Sequence, residues 1–207
     1  MKYHLGCGAK YFDGYVNVDF PQEKQTIVQV KADIYDSLLT LKYEPCDEIR
    51  SHHVFEHFNY IESMALLIKW TQALQIKGLL RIDVPDLEAL CKALLETYKS
   101  HYVLKSFRVI RLLLGSHESD WAYHTNGWNP ITLSYILERF GYEMSGINRY
   151  GNIESDFPNC GIDMHFVKKS EKSDLIKTAK EILGFYTDAC EEPLREYYWK
   201  ELDKLLC

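Results

Sequence analysis

Residues 1–19, MKYHLGCGAKYFDGYVNVD, decide the fold of this chain. A strand predicted over Lys2–Leu5 runs into Gly6-Cys7-Gly8, and a second strand, predicted over Tyr15–Asp19, ends on a carboxylate. In doubly wound α/β sheets, ligands bind outside the carboxyl ends of the strands, where glycines let the backbone approach the ligand. A carboxylate that ends the second strand can accept hydrogen bonds from both hydroxyls of a ribose. The stretch therefore predicts a nucleoside site across these two strand ends.

The spacing within this stretch separates it from the dinucleotide-binding fingerprint. That fingerprint has a third glycine and about 20 residues before its acidic residue, whereas only 13 residues separate Gly6 from Asp19. No full crossover helix fits between the two strands. This favours a nucleoside ligand without phosphates and leaves an NAD-linked oxidoreductase as a weaker alternative.

Beyond this stretch, short β-like runs alternate with helical segments, which indicates an α/β fold with a mainly parallel sheet. Further strands are predicted over Ile27–Lys31, Glu48–Ser51, Leu79–Val84, Glu143–Arg149 and Ile162–Lys168. In the first half of the chain, a helix is predicted over Ile61–Ile76 with a left-handed stop at Gly78, and another begins after Asp86, which serves as its N-cap. In the second half, helices are predicted over Val103–Leu114 and over Ile131–Phe140, the latter after the Asn129-Pro130 cap. Two more are predicted near the C-terminus, one within Ser173–Glu192 and one from Glu192-Pro193 onward. Residues 115–130 are polar and aromatic, and they are expected to form a loop that acts as a lid.

Composition narrows the class of protein. The chain has 207 residues, 46% of them hydrophobic, which is enough for the core of one domain. No apolar run approaches the roughly 20 residues of a membrane span, and the N-terminus lacks the features of a signal peptide. The net charge of −6 argues against a sequence-independent hold on nucleic acid. Six scattered cysteines without a C-x-x-C pair fit a reducing compartment, so a cytoplasmic protein is expected.

Five motifs then occur in order: HLGCG, GYVNVD, KADIYD, DEIRSHHVFEHF and KGLLRIDVPDLEAL. In this the chain resembles the class I S-adenosylmethionine-dependent methyltransferases, and within them a bacterial subgroup with a short glycine loop. The resemblance implies a Rossmann-like sheet of seven strands, mainly parallel with the last strand antiparallel. It assigns residues 1–169 to the methyltransferase domain and leaves 170–207 as a C-terminal helical extension. One departure is Lys77-Gly78, where the subgroup usually has two glycines.

The same resemblance implies S-adenosyl-L-methionine as the cofactor and gives each matching residue a role. The glycine turn would lie under the methionine and ribose, Asp19 would hold the ribose hydroxyls, and Asp33 would face the adenine amino group. The implied cofactor-binding residues are Leu5, Gly6, Cys7, Gly8, Asp19, Asp33, Ile34, Ser51 and His52. Of these, Ser51 and His52 would approach the methionine end.

The pattern His53-x-x-Glu56-His57 allows three interpretations. It fits the inverted signature of zinc peptidases, although a strand that ends just before it argues against two histidines on one helical face. Alternatively, Glu56 and His57 cap or orient the next helix. The third interpretation places the pattern beside the transferred methyl group, in the acceptor pocket. No metal ligands are assigned on this basis.

A hydroxyl acceptor would need a base within hydrogen-bond reach, and histidine is the commonest choice near neutral pH. His53, His57 and His124 are the catalytic candidates, in that order. The expected activity is methyl transfer to an oxygen, or a nitrogen, of a small molecule or glycan. The alternative from another class is a non-catalytic cofactor-binding or scaffold protein. A homo-oligomer or a partner protein contacted through residues 173–207 is a further expectation.

Overall fold

The computed structural model of the chain describes residues 1–20, 31–100, 102–155 and 158–207. In these ranges a seven-stranded sheet is surrounded by six α-helices. The strands are β1 (Lys2–Leu5), β2 (Val16–Asp19), β3 (Ile34–Tyr35), β4 (Cys46–His52), β5 (Leu74–Pro85), β6 (Tyr142–Asn152) and β7 (Asn159–Lys168). The helices are α1 (Tyr60–Ala73), α2 (Leu87–Ser100), α3 (Val103–Leu114), α4 (Pro130–Arg139), α5 (Leu175–Leu183) and α6 (Glu192–Leu206).

The strand order is β3-β2-β1-β4-β5-β7-β6. The first five strands are parallel, and β7 runs antiparallel to both β5 and β6. The predicted fold class, a mainly parallel seven-stranded sheet with its last strand antiparallel, is therefore confirmed. The order reverses between β1 and β4, so the crevice outside their carboxyl ends is the expected ligand position.

No helix connects β1 to β2, as the short spacing predicts. The side-chain amide of Asn17 organises the connecting loop instead. Its oxygen accepts the Phe12 N–H at 3.0 Å, and its nitrogen donates to the carbonyl oxygens of Phe12 and Tyr15, both at 3.0 Å. Because these bonds satisfy the loop backbone, the loop can cover the sheet where a helix would otherwise lie.

Two predicted boundaries in the first half of the chain are wrong. Helix α1 ends at Ala73, and Leu74, which was assigned to the helix, pairs with Cys46 as the first residue of β5. The left-handed residue after it is Lys77, with φ of +68°, and not Gly78. The third strand of the sheet is Ile34–Tyr35, whereas the predicted strand Ile27–Lys31 falls, apart from Lys31, outside the described residues.

The C-terminal helices pack against α1. The buried side chains of α5 and α6, which are Ala179, Ile182, Leu183 and Leu202, belong to the same core as the sheet and α1, and Tyr186 stacks on Tyr60 with ring centroids 3.8 Å apart. The helix predicted within Ser173–Glu192 is shorter than expected. It ends at Leu183 in a 3₁₀ turn, in which the Thr187 N–H and hydroxyl bond back to the Gly184 carbonyl oxygen.

Candidate functional site

The glycine turn after β1 depends on backbone geometry at Gly6. Its φ is +67°, and a Cβ at this position would overlap Cγ2 of Val54, so only glycine fits. Gly8 has φ of +47°, but a Cβ there would meet no heavy atom within 4 Å among the described residues. The turn is thus packed against the protein at Gly6 and open at Gly8.

Asp19 ends β2 directly beside this turn. Its Oδ2 accepts the Gly8 N–H at 2.7 Å, and its Oδ1 accepts the N–H of Phe20 at 2.7 Å. A carboxylate has about four lone-pair positions, so Oδ1 can accept one more hydrogen bond, and Oδ2 can exchange its weak contact with the Cys7 thiol at 3.9 Å for another. The half-buried Asp19 is therefore oriented by the backbone with acceptor capacity to spare.

Cys7, between the two glycines, is buried. Burial and the neighbouring Asp19 raise the pKa of its thiol to about 12. Cys7 is consequently a neutral thiol near neutral pH and supplies packing, because the nucleophilic form of cysteine is the thiolate.

Asp33, which is expected to face the adenine amino group, is an exposed residue. It precedes β3, and its carboxylate is bonded to the Tyr11 hydroxyl at 2.8 Å and to the Asn17 N–H at 3.1 Å. The hydrogen bonds from Asn17 and Tyr11 lower its pKa. The carboxylate that follows β3, at the carboxyl edge of the sheet, is Asp36, whose own N–H donates to the Asp19 carbonyl oxygen at 3.2 Å. Ile34 is half-buried within β3 and pairs with Val18.

Ser51 and His52 end β4 and lie one strand away from the glycine turn. His52 Nδ1 is 2.7 Å from Oδ2 of Asp83, and its Nε2 is 2.9 Å from Nζ of Lys10. Since a carboxylate accepts and an ammonium donates, His52 carries its proton on Nδ1 and accepts at Nε2. Ser51 is fully buried, and its hydroxyl has no hydrogen-bond partner among the described residues.

Asp83, at the end of β5, connects His52 to the next histidine. The Tyr150 hydroxyl donates to Oδ1 of Asp83 at 2.6 Å, and the same hydroxyl oxygen is 2.8 Å from Nε2 of His53. Burial opposes ionisation of Asp83, but the hydrogen bonds from His52 and Tyr150 outweigh it and keep the pKa of Asp83 below its usual value. Burial and Asp83 together raise the pKa of Tyr150.

Both ring nitrogen atoms of His53 are engaged within the protein. Besides its contact with Tyr150, its Nδ1 is 3.3 Å from Oε1 of Glu56. Burial disfavours the charged ring, but the hydrogen bond with Glu56 and the charges of Glu56 and Asp83 outweigh burial and raise the pKa of His53. Since the Tyr150 hydroxyl donates to Asp83 and the Glu56 carboxylate can only accept, the geometry places both nitrogen atoms of His53 to donate.

His57 and His124 lie in a cleft of about 240 Å³ between the end of the sheet and the 115–130 loop. Their rings meet edge to face with centroids 4.9 Å apart. His57 Nδ1 donates to the Tyr123 carbonyl oxygen at 2.9 Å. Burial lowers the pKa of His124, and the main-chain N–H of His124 donates to the Leu114 carbonyl oxygen at 3.0 Å. The three catalytic candidates therefore line one cleft, in which His124 belongs to the loop and His57 is bonded to it.

The loop itself is fixed to the sheet end. The N–H groups of Thr125 and Asn126 donate to the Glu56 carbonyl oxygen at 2.9 and 3.1 Å, and the Thr125 hydroxyl donates to that of His57 at 2.9 Å. Of the pattern His53-x-x-Glu56-His57, only Glu56 and His57 lie in the 3₁₀ turn Phe55–His57. The ring of His53 contacts Tyr150 and not His57, so this turn does not bring the two imidazoles together as a zinc-peptidase helix would.

Sequence reasoning missed Lys10, Asp83 and Tyr150 as members of this network. Tyr150 lies in β6, far along the chain from His53, and no local motif marks it. A signal did exist in β7, where Gly161 stands opposite Tyr150. A glycine inside a strand often marks the close approach of another group.

The fold is similar to that of several solved methyltransferase structures. A methyltransferase from Methanosarcina mazei superimposes with a TM-score of 0.53 at 13% identity, over 82% of this chain and 92% of that chain. Magnesium protoporphyrin IX methyltransferase from Synechocystis, solved with bound S-adenosylhomocysteine, gives a TM-score of 0.50 at 12% identity over 82% and 74% of the two chains.

LepI, solved with S-adenosylmethionine, gives a TM-score of 0.50 at 10% identity, and this chain spans 43% of its length. At these identities the likeness establishes the fold, Rossmann-like and of the methyltransferase type. No protein-family model and no curated protein sequence matches the chain. In the part of the chain that the structure describes, no helix combines the length and the apolar character that crossing a membrane requires.

Proposed function

We propose that this protein is an S-adenosylmethionine-dependent methyltransferase whose acceptor is an oxygen, or a nitrogen, of a small molecule or glycan. The observation that carries the proposal is the position of the Asp19 carboxylate, 2.7 Å from the Gly8 N–H at the switch point of the sheet. A charge-assisted hydrogen bond contributes roughly 1.5–3 kcal/mol. Two such bonds to the ribose hydroxyls are enough to select a nucleoside here.

The adenine and methionine parts would lie on either side of this ribose. At the adenine end, we transfer the role expected of Asp33 to Asp36, because Asp36 follows β3 and its N–H bonds to Asp19. At the methionine end, Lys10 supplies a positive charge 2.9 Å from His52, beside Ser51 and the glycine turn. A cation is needed there because the methionine carboxylate is an anion.

The cofactor would supply a methyl group already activated as a sulfonium, so the protein mainly has to align the acceptor. Well-oriented reactants can save about 7–11 kcal/mol of the barrier. The acceptor would bind in the cleft under the 115–130 loop, lined by His53, His57 and His124. Both ring nitrogen atoms of His53 are bonded within the protein, so His53 would form part of the wall, while His57 and His124 lie where an acceptor proton could be taken up.

Calorimetry with S-adenosylmethionine, S-adenosylhomocysteine and NAD tests the proposal. We expect binding of the first two and none of NAD, which the short glycine turn does not fit. Release of S-adenosylhomocysteine in the presence of a panel of hydroxyl and amine acceptors would then identify the acceptor. Failure of both S-adenosyl ligands to bind would contradict the proposal, and binding without turnover on any acceptor would favour the scaffold alternative.

A further inference from the structure

Glu56, His57 and His124 converge at one end of the cleft. One carboxylate oxygen and one nitrogen atom of each imidazole lie within 4.8 Å of one another. Two of these residues belong to the 3₁₀ turn after β4, and the third belongs to the 115–130 loop. The main-chain bonds from Thr125 and Asn126 to Glu56 hold the two segments together.

Glu56 carries a carboxylate oxygen that lacks a partner. The residue is only 2% exposed, and while Oε1 bonds to His53, Oε2 has no hydrogen-bond partner among the described residues. A buried acceptor left unsatisfied costs about 1–3 kcal/mol, and more when it is charged. This oxygen therefore needs a donor or a cation from the cleft that Glu56 lines.

The imidazole of His57 is held in the way that metal ligands are held. A ligating histidine almost always donates its other ring N–H to a carbonyl or carboxylate, which fixes the tautomer. His57 does so through Nδ1 to the Tyr123 carbonyl oxygen at 2.9 Å, which leaves the lone pair on Nε2. His124 is placed by its own backbone, because its main-chain N–H donates to the Leu114 carbonyl oxygen at 3.0 Å.

A second cluster of potential ligands, His52, His53 and Asp83, lacks these properties. The ligand atoms of His52 are bonded to Asp83 and to Lys10, and the Lys10 ammonium would repel a metal cation. His53 is already bonded at both nitrogen atoms. The contrast selects the cluster at Glu56 as the one with free donor atoms.

We propose that Glu56, His57 and His124 form a binding site for a divalent transition metal, with Zn²⁺ as the probe. Two imidazoles and one carboxylate are a set that such metals prefer, and three protein ligands leave a further position for water or an acceptor atom. Zinc ligands at about 2.0–2.2 Å lie roughly 3.4 Å apart, so a small contraction of the cluster would complete the site. Metal binding goes beyond the proposed methyl transfer and can be measured without cofactor or acceptor.

The test uses untagged full-length protein, freed of metal with a chelator and titrated with Zn²⁺ against a chromogenic competitor. We expect one Zn²⁺ to bind per chain. When Co²⁺ is added instead, we expect the d–d absorption that is typical of a coordination site of low symmetry. Glu56→Gln and His124→Ala should each weaken Zn²⁺ binding by more than about 100-fold, because loss of an outer partner alone costs 10–100-fold. His117→Ala, an exposed histidine of the same loop, is the matched control and should leave the affinity unchanged.

Thermal unfolding of each variant without metal shows whether it folds, and Zn²⁺ should raise the melting temperature of the wild type but not of His124→Ala. The proposal is overturned if the wild type does not bind Zn²⁺. It is equally overturned if folded Glu56→Gln and His124→Ala bind with wild-type affinity, which would assign the metal to exposed cysteines or other histidines. Preference for Mg²⁺ over Zn²⁺ would also contradict it, since Mg²⁺ prefers oxygen ligands.

Discussion

Gly161 in β7 stands directly opposite Tyr150 in β6, and a Cβ at position 161 would overlap the Tyr150 hydroxyl. The absence of a side chain at 161 lets the Tyr150 hydroxyl lie 2.6 Å from Asp83 and 2.8 Å from His53. One glycine thereby connects the antiparallel edge of the sheet to the histidines at the end of β4. This relationship explains why a residue so far along the chain takes part in the candidate site.

The substitution Gly161→Ala should displace the Tyr150 ring and break its bonds to Asp83 and His53. Overpacking of this kind costs about 1–3 kcal/mol of the free energy of unfolding, and we expect methyl transfer to fall in this variant and in Tyr150→Phe, because both lose the hydroxyl between Asp83 and His53. Urea unfolding and S-adenosylhomocysteine release measure the two effects. Gly146→Ala is the control, because a Cβ there would make an ordinary contact of 3.4 Å with His165. Equal effects of the two alanine substitutions would contradict this account.

Lys10 should recognise the methionine carboxylate of the cofactor. Lys10→Gln is expected to lower the affinity for S-adenosylhomocysteine about tenfold, since a hydrogen bond to a charged group contributes roughly 1.5–3 kcal/mol. It should not change the affinity for 5′-methylthioadenosine, which lacks the carboxylate. Calorimetry with both ligands shows whether the loss is specific to the carboxylate. The control Lys2→Gln, at the other end of β1, should not change the affinity for either ligand. A parallel loss for both ligands would mean that Lys10 only supports the turn.

His4 should make the stability of the protein depend on pH. The residue is fully buried against Asn17, and burial lowers its pKa to about 4, against the hydrogen bond with Asn17, which raises it. Between that value and the unfolded pKa of about 6.5, the unfolded chain binds a proton that the folded chain does not. Stability contributed by neutral His4 is therefore present above pH 6.5 or so and lost as the pH falls toward 4.

From pH 7.5 to pH 5, roughly 2 kcal/mol of the free energy of unfolding should be lost through His4. The side chain of His4→Gln stays neutral, so the free energy of unfolding of this variant should fall by roughly 2 kcal/mol less than that of the wild type over the same pH range. Urea unfolding at both pH values measures the difference. The exposed His117→Gln should behave like the wild type. An identical pH dependence of His4→Gln and wild type would show that His4 titrates normally in the folded protein.

Lys77 occupies a position where the resembled subgroup has glycine, and its φ of +68° carries a steric penalty. A left-handed conformation costs a non-glycine residue about 1–2 kcal/mol, while glycine loses about 0.5–1 kcal/mol through backbone entropy. Lys77→Gly should therefore stabilise the protein by about 0.5–1 kcal/mol in urea unfolding. Lys69→Gly, inside α1, should destabilise it by about 1 kcal/mol. Destabilisation by both would mean that the Lys77 side chain makes a stabilising contact.

The fold was predictable where the signal is local. The strand into Gly6, the cap at Asn129-Pro130 and the apolar periodicity of Val103–Leu114 each depend on neighbouring residues, and each is confirmed. The end of α1 was not predictable, because Leu74 fits a helical stripe equally well. Its place in β5 depends on pairing with Cys46, which only the folded sheet provides.

The candidate site, like the fold, was predictable only where the signal lies in neighbouring residues. The position of Asp19 beside Gly8 is readable from a motif, because the two lie at adjacent strand ends. The convergence of His124 with Glu56 and the reach of Tyr150 to His53 depend on long-range contacts with no sequence period. The motif around Asp33 is likewise recognisable, whereas the hydrogen bonds of its carboxylate to Tyr11 and to Asn17 of β2 join residues that are far apart in the sequence.

The most direct test of the central claim is calorimetry of S-adenosylhomocysteine binding to Asp19→Ala. If Asp19 holds the ribose, affinity should fall at least about tenfold for each lost charge-assisted bond. Asp13→Ala, an exposed carboxylate of the same loop, should bind like the wild type. Wild-type affinity in a folded Asp19→Ala variant would contradict the account, because the nucleoside would then lie elsewhere.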